Sequence, residues 1–265
     1  MFRLLRHCRR FFTVILLAPA VAPAQTWQFV RETRSEKPDP ALAFVSREFS
    51  AGNRRVTLDL VTFDPRNFTL TVVDQGATDP PTHASLAAAM QANFCVAGCN
   101  GGFFHPDNRP SGLVIAAGQR INRFEQAKLL SGVLLVDANG PQILRRAEFK
   151  DHPGITALLQ SGPFLVDGGT TVAGLSASPE RRRTFLFTDG SRHWGIGLAS
   201  SSSLAELGLI LALPGATGTG CRVTRALNLD GGTSCGLYFD RGAGERDHAV
   251  EPFKRVRNFV GVAPR

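Results

Sequence analysis

Arg225-Ala-Leu-Asn-Leu-Asp230-Gly231-Gly232-Thr233-Ser234 is the stretch on which the reading of this chain turns. Ala226 to Leu229 is short and largely apolar, so it reads as a buried strand. It ends on an acid followed by two glycines, which places a carboxylate where the backbone is free to take positive φ. The amides after Asp230 can then converge on an anion, as successive N–H groups do in a nest. Val96-Ala-Gly-Cys99-Asn100-Gly101-Gly102-Phe103-Phe104 repeats the design: apolar strand, polar amide, Gly-Gly opening. One such strand end is as often a plain turn as a site. Two in one chain point to a shared site.

Outward from these stretches, the first segment is set aside. Arg3, Arg6, Arg9 and Arg10 form a basic region, Phe11 to Ala18 an apolar core, and Ala22-Pro23-Ala24 offers a small-residue cleavage site. Residues 1–24 therefore read as a signal peptide and residues 25–265 as a single domain, expected in the periplasm or secreted. Arg9-Arg10 also loosely fits a twin-arginine signal. Removing the leader takes four arginines and lowers the formal charge from +8 to +4. No basic stripe is interleaved with aromatics, so nucleic acid is not an expected partner. No later run is long and apolar enough for a membrane span.

Four cysteines remain: Cys95, Cys99, Cys221 and Cys235. In an exported chain they suggest two disulfides. Residues 95 and 99 on one strand stand roughly 13 Å apart, too far to bridge each other. Crossed pairing is expected, each joining one of Cys221 and Cys235. Paired CxxC spacing for zinc is missing, and any metal at the site is left unknown.

Arg54 to Phe63 alternates Val56, Leu58 and Leu60 with polar residues. It is expected to form a hairpin with Phe68 to Val73 through Asp64-Pro65-Arg66-Asn67. Ser85 to Asn93 reads as an alanine-rich helix, and Ser203-Leu-Ala-Glu206 as a capping box opening a second. Asp189-Gly190 and Asn139-Gly140 read as hairpin turns. Many strands and two helices give an α+β fold, one domain with a largely antiparallel, mixed β-sheet core and a few helices packed on it.

Asn100-Gly101-Gly102-Phe103-Phe104, Gln160-Ser161-Gly162-Pro163, Arg183-Thr184 and Asn228-Leu229-Asp230-Gly231-Gly232-Thr233-Ser234 occur in that order. Together they resemble the phosphodiester glycosidase family, over about residues 86–262. The resemblance implies a hydrolase that cleaves a sugar-1-phosphodiester with no cofactor. Together with the leader, it makes an exported enzyme of envelope polysaccharide or related glycan metabolism the expectation. Asp230 is the expected catalytic carboxylate, serving the oxocarbenium-like centre as base, nucleophile or stabiliser. Arg183, with Arg182 as substitute, is expected to fork onto the phosphate, and the amides of Gly231, Gly232 and Thr233 to cradle it. Asn100 would hold a sugar hydroxyl or orient Asp230. Gly101, Gly102, Phe103, Gln160, Gly162, Thr184, Asn228 and Ser234 are carried over as substrate-binding, and His105 is a candidate for proton transfer. Thr233 departs from the pattern, where a third glycine is expected, and bears on substrate choice.

Two rivals are weighed against this reading. Gly232-Thr233-Ser234-Cys235-Gly236 matches the G-x-S-x-G elbow of serine hydrolases, which demands a helix after Ser234. Only 31 residues follow Ser234, and Gly236 to Phe239 reads as a strand. The other rival is a module that binds phosphorylated glycan without cleaving it.

Overall fold

The computed structural model describes residues 26–242 and 245–265. The leader and its cleavage site lie outside the described residues. Strands dominate and every ladder is antiparallel. They form one eight-stranded and two five-stranded sheets, with only two α-helices, Leu86–Ala92 and Leu204–Leu211. The fold is α+β, as the alternation and capping signals imply.

The three sheets meet in a common core. Phe44, Val61 and Leu186 come from the large sheet, Leu70, Cys99 and Val260 from the second, and Val114, Leu134 and Leu159 from the third. The opposite face of the large sheet carries Val56, Leu58 and Leu60, which pack with Leu207, Ile210 and Leu211 of the second helix. Neighbouring Leu60 and Val61 thus enter different cores, as pleated backbone requires. The first helix covers the second sheet through Leu86, Ala89 and Met90.

Both helix starts are dictated locally. Ser85 caps the first through the Ala88 amide. Ser203 and Glu206 form the reciprocal box on the second, satisfying amides that have no partner inside the helix. Met90 lies over Gly98, where a Cβ would fall 2.0 Å from the Met90 sulfur. The strand Ala97–Asn100 can therefore approach the helix only as glycine. Gly98→Val is expected to destabilise the fold by about 1–3 kcal/mol through overpacking, read as a lower denaturation midpoint at unchanged m.

One expected pairing is not formed. Arg54–Phe63 pairs with Leu42–Ala51 and Trp194–Ser202, whereas Phe68–Asp74 joins Asn258–Pro264 in another sheet. The turn at Asp64 passes the chain between sheets, so these two strands are not a hairpin. The Asp189-Gly190 and Asn139-Gly140 turns do join paired strands.

The four cysteines are free thiols, which corrects the crossed pairing. Cys95 packs with the first helix, Cys99 and Cys235 lie in the common core, and Cys221 sits with Asp189 and His193. Burial pushes the Cys95 thiol up to about 11 and raises Cys99 and Cys235 as well. Buried thiols of this kind are poor nucleophiles. Among the described residues no helix is long and apolar enough to cross a membrane.

Candidate active site

Asn100 closes the strand Ala97–Asn100, and Asp230 follows the strand Arg225–Asn228 by two residues. The two strand ends are stitched together. The Asp230 amide donates to the Gly101 carbonyl at 3.1 Å, and Asn100 Nδ2 donates to the Asp230 carbonyl at 2.8 Å. Asn100 is fully buried. Its Oδ1 accepts from Thr184 Oγ1 at 2.7 Å and from the Gly236 amide at 3.0 Å. Thr184 in turn accepts the Leu229 amide at 2.9 Å on its carbonyl. Asn100 therefore has no polar atom left for a sugar hydroxyl. Its contact with Asp230 runs through the Asp230 backbone carbonyl.

Asp230 is partly buried, and its Oδ1 accepts the Gly231 amide at 2.9 Å. Burial, the largest influence, raises its pKa, while Ser234, the Gly231 amide and the Lys254 charge pull it back. Ser234 Oγ is buried without a hydrogen bond of good geometry. It faces the carboxyl closely enough to act on its charge.

Beyond Asp230 the chain makes a single short 3-10 turn, Gly232–Ser234, with Gly232 at φ +66°. Its Ser234 and Cys235 amides bond back to Gly231 and Gly232. The Gly232 and Thr233 amides find no protein acceptor among the described residues. Around this turn stand four cations. Arg183 Nη1 lies 3.5 Å from where a Gly231 Cβ would be, and Arg181 Cδ 3.6 Å from the Gly232 position. Arg182 donates to the Cys235 carbonyl at 3.3 Å and lies against Phe253. Lys254 sits over the Phe104 ring. The free Arg183 fork is corrected: its Nε and Nη2 hold the Ser202 and Pro179 carbonyls at 3.1 and 2.7 Å, so Nη1 alone faces Gly231. Burial lowers the Arg183 pKa, yet a guanidinium stays charged.

The other motif residues shape the site from beneath. Gly101 and Gly102 are buried, with amides on the Asn258 carbonyl and Oδ1 at 2.8 and 2.9 Å. A Cβ on Gly101 would lie 2.0 Å from Asn258 Oδ1, so the glycine is needed for that close approach. Gln160 is buried and clamps the backbone of Leu113 and Glu125. Asn228 Nδ2 holds the Gly162 carbonyl at 2.8 Å, and Ser161 Oγ the Asn228 carbonyl at 3.0 Å. Gln160, Asn228 and Ser161 spend their polar atoms on protein except for Asn228 Oδ1, and Asn258 Nδ2 also lacks a partner. Phe103 is partly buried. His105 lines a cavity of about 540 Å³ with Arg109, Arg123 and Glu125, whose walls do not include Asp230. Thr233 is exposed.

Sequence reasoning missed Asn258 and Lys254. The Arg257–Asp74 pair, bidentate at 2.8 Å, fixes the strand start that carries Asn258. The available signal was a polar residue at the head of an apolar strand. The serine-elbow reading fails on geometry: Ser234 is buried, and the strand Leu237–Phe239 follows where a helix would be required.

A site made of one carboxylate at a strand end, two open amides and a cationic rim is suited to an anionic ester. A family model described as phosphodiester glycosidase matches residues 93–263, and the chain belongs to that family. Among solved structures it resembles a hypothetical protein from Synechocystis, with TM-score 0.62 and 16% identity over 93% of this chain and 65% of that one. It also resembles the catalytic domain of zebrafish N-acetylglucosamine-1-phosphodiester alpha-N-acetylglucosaminidase, auto-inhibited by its pro-peptide. That match has TM-score 0.62 and 14% identity, over 91% of this chain and 89% of that one. At these identities the likeness is one of fold. The chain spans about two thirds of the Synechocystis protein's length. No curated protein matches the chain.

Proposed function

We propose that this chain is an exported hydrolase that cleaves the glycosidic bond of a sugar-1-phosphodiester, in envelope polysaccharide or related glycan metabolism. The observation that carries the reading is Asp230, clamped by Asn100 and Gly101 beside the open Gly232 and Thr233 amides. Family membership supports the same reaction class.

In this reading the phosphodiester lies on the amides and the cationic rim, with its sugar over Asp230. Breaking the anomeric C–O bond leaves a phosphate monoester, whose added charge the amides, Arg183 Nη1 and Lys254 stabilise. Asp230 deprotonates the attacking water and offsets the positive charge that develops at the anomeric carbon. A phosphate monoester leaves readily, so no second general acid is required.

A base works in its ionised form. Because burial holds the Asp230 pKa above the ordinary 3.8, activity falls as pH drops through that raised value. The acid limb of kcat/KM is expected above pH 3.8, and a limb at or below it would count against Asp230 as the base. Hydrolysis in oxygen-18 water tests the bond broken. Label in the sugar hydroxyl supports the proposal, and label in the phosphate overturns it.

A further inference from the structure

At the far end of the same strands lies a second cluster that the proposed reaction does not use. Arg225 opens the strand Arg225–Asn228 and pairs with Thr188, next to Asp189. Asp230 lies five positions further along the chain, roughly 17 Å away if the backbone stays extended. The cluster therefore stands apart from the candidate active site. The Asp189 to His193 turn folds on its own acid. Asp189 Oδ1 accepts from the Ser191 and His193 amides at 2.8 and 3.0 Å, and Oδ2 meets His193 Nδ1 at 2.7 Å. The Thr224 amide on the Thr188 carbonyl, at 2.8 Å, brings the following loop against this turn and delivers Cys221. One ligand atom each from Asp189, His193 and Cys221 lies within 4.8 Å of the other two.

We propose that Asp189, His193 and Cys221 bind a borderline divalent transition-metal ion of the zinc and cobalt class. A tetrahedral ion with bonds of about 2.0–2.3 Å holds its ligand atoms about 3.3–3.8 Å apart. The three ligand atoms lie within 4.8 Å of one another, so they draw in on binding, and His193 either gives up its 2.7 Å bond to Asp189 or coordinates through Nε2. Thiolate and imidazole select zinc or cobalt over magnesium or calcium. Asp189 is nearly buried at 9% side-chain exposure while His193 is open at 36%. His193 also lines a cavity of about 810 Å³ with Thr217 and Thr219. The ion therefore has a path from solvent and room for a water as fourth ligand. On binding, Cys221 releases its proton to solvent and the thiolate takes the ion. The bond would tie the glycine-rich loop 214–224 to the hairpin turn.

The test is a Co²⁺ titration of the purified, tag-free full chain under a non-chelating reductant. A thiolate-to-cobalt absorption band in the near ultraviolet is expected, saturating at one equivalent, displaced by Zn²⁺ and untouched by Mg²⁺ or Ca²⁺. Cys221→Ser removes the band and His193→Ala weakens Co²⁺ binding about tenfold or more. Among the described residues the other thiols, Cys95, Cys99 and Cys235, are buried and do not substitute. No band at excess Co²⁺, or a band that survives in Cys221→Ser, overturns the site. A Zn²⁺-induced rise in Tm of equal size in wild type and Cys221→Ser overturns it too.

Discussion

Asp230→Asn is expected to lower kcat on an aryl sugar phosphodiester by about a hundred- to ten-thousand-fold, with the fold retained. The substitution keeps the shape that the Gly231 amide contacts and removes only the base. Stability should not fall, and the sign follows from linkage. Burial raises the folded carboxyl pKa, so the folded state binds more protons than the unfolded one as pH rises through that window. Stability contributed by this group is therefore lost above the raised pKa. At neutral pH the charged form is a cost that asparagine does not carry. A variant with equal or higher Tm, substrate binding intact and turnover nearly gone fits the account. Wild type that binds and never turns over would favour a glycan-binding module instead.

The largest structural effect is expected at Asn100. Asn100→Ala leaves the Asp230 carbonyl, the Thr184 hydroxyl and the Gly236 amide without their partner. Each orphaned buried group costs about 1–3 kcal/mol, so the total is a large share of a domain's usual 5–15 kcal/mol, in order-of-magnitude terms. Urea titration should show a much lower midpoint, and the folded fraction should turn over slowly because Asp230 is no longer held. Thr184→Val removes one of these bonds and should cost about 1 kcal/mol. If Asn100→Ala unfolded at the wild-type midpoint, the stitched strand ends would not be what fixes the site.

Much of this fold could be read locally. The helix caps at Ser85 and Ser203, the alternation through Leu60 and the two glycine turns all follow from neighbouring residues, and the structure keeps them. What was not legible depends on distant partners. Phe68–Asp74 chooses Asn258–Pro264 over the nearby Arg54–Phe63, and nothing within either segment signals that choice. The first strand, Gln28–Asp39, is exposed along nearly its whole length. It is held by pairing with Leu42–Ala51, so its second half shows no apolar period.

At the site, Asp230 and the glycine turn were visible because acid, glycine and strand end are adjacent in sequence. Asn258 and Lys254 were hidden because their link to Asp230 exists only after folding. The motif residues Gln160 and Asn228 looked like ligand contacts and prove to be braces for backbone. A polar residue recurring at a site does not say whether it faces substrate or the loop that faces substrate.

The most direct measurement is a crystal of Asp230→Asn soaked with a sugar-1-phosphodiester. The account predicts phosphate on the Gly232 and Thr233 amides within reach of Arg183 Nη1, with the anomeric carbon over residue 230. Phosphate bound elsewhere, or a sugar turned away from residue 230, would contradict it.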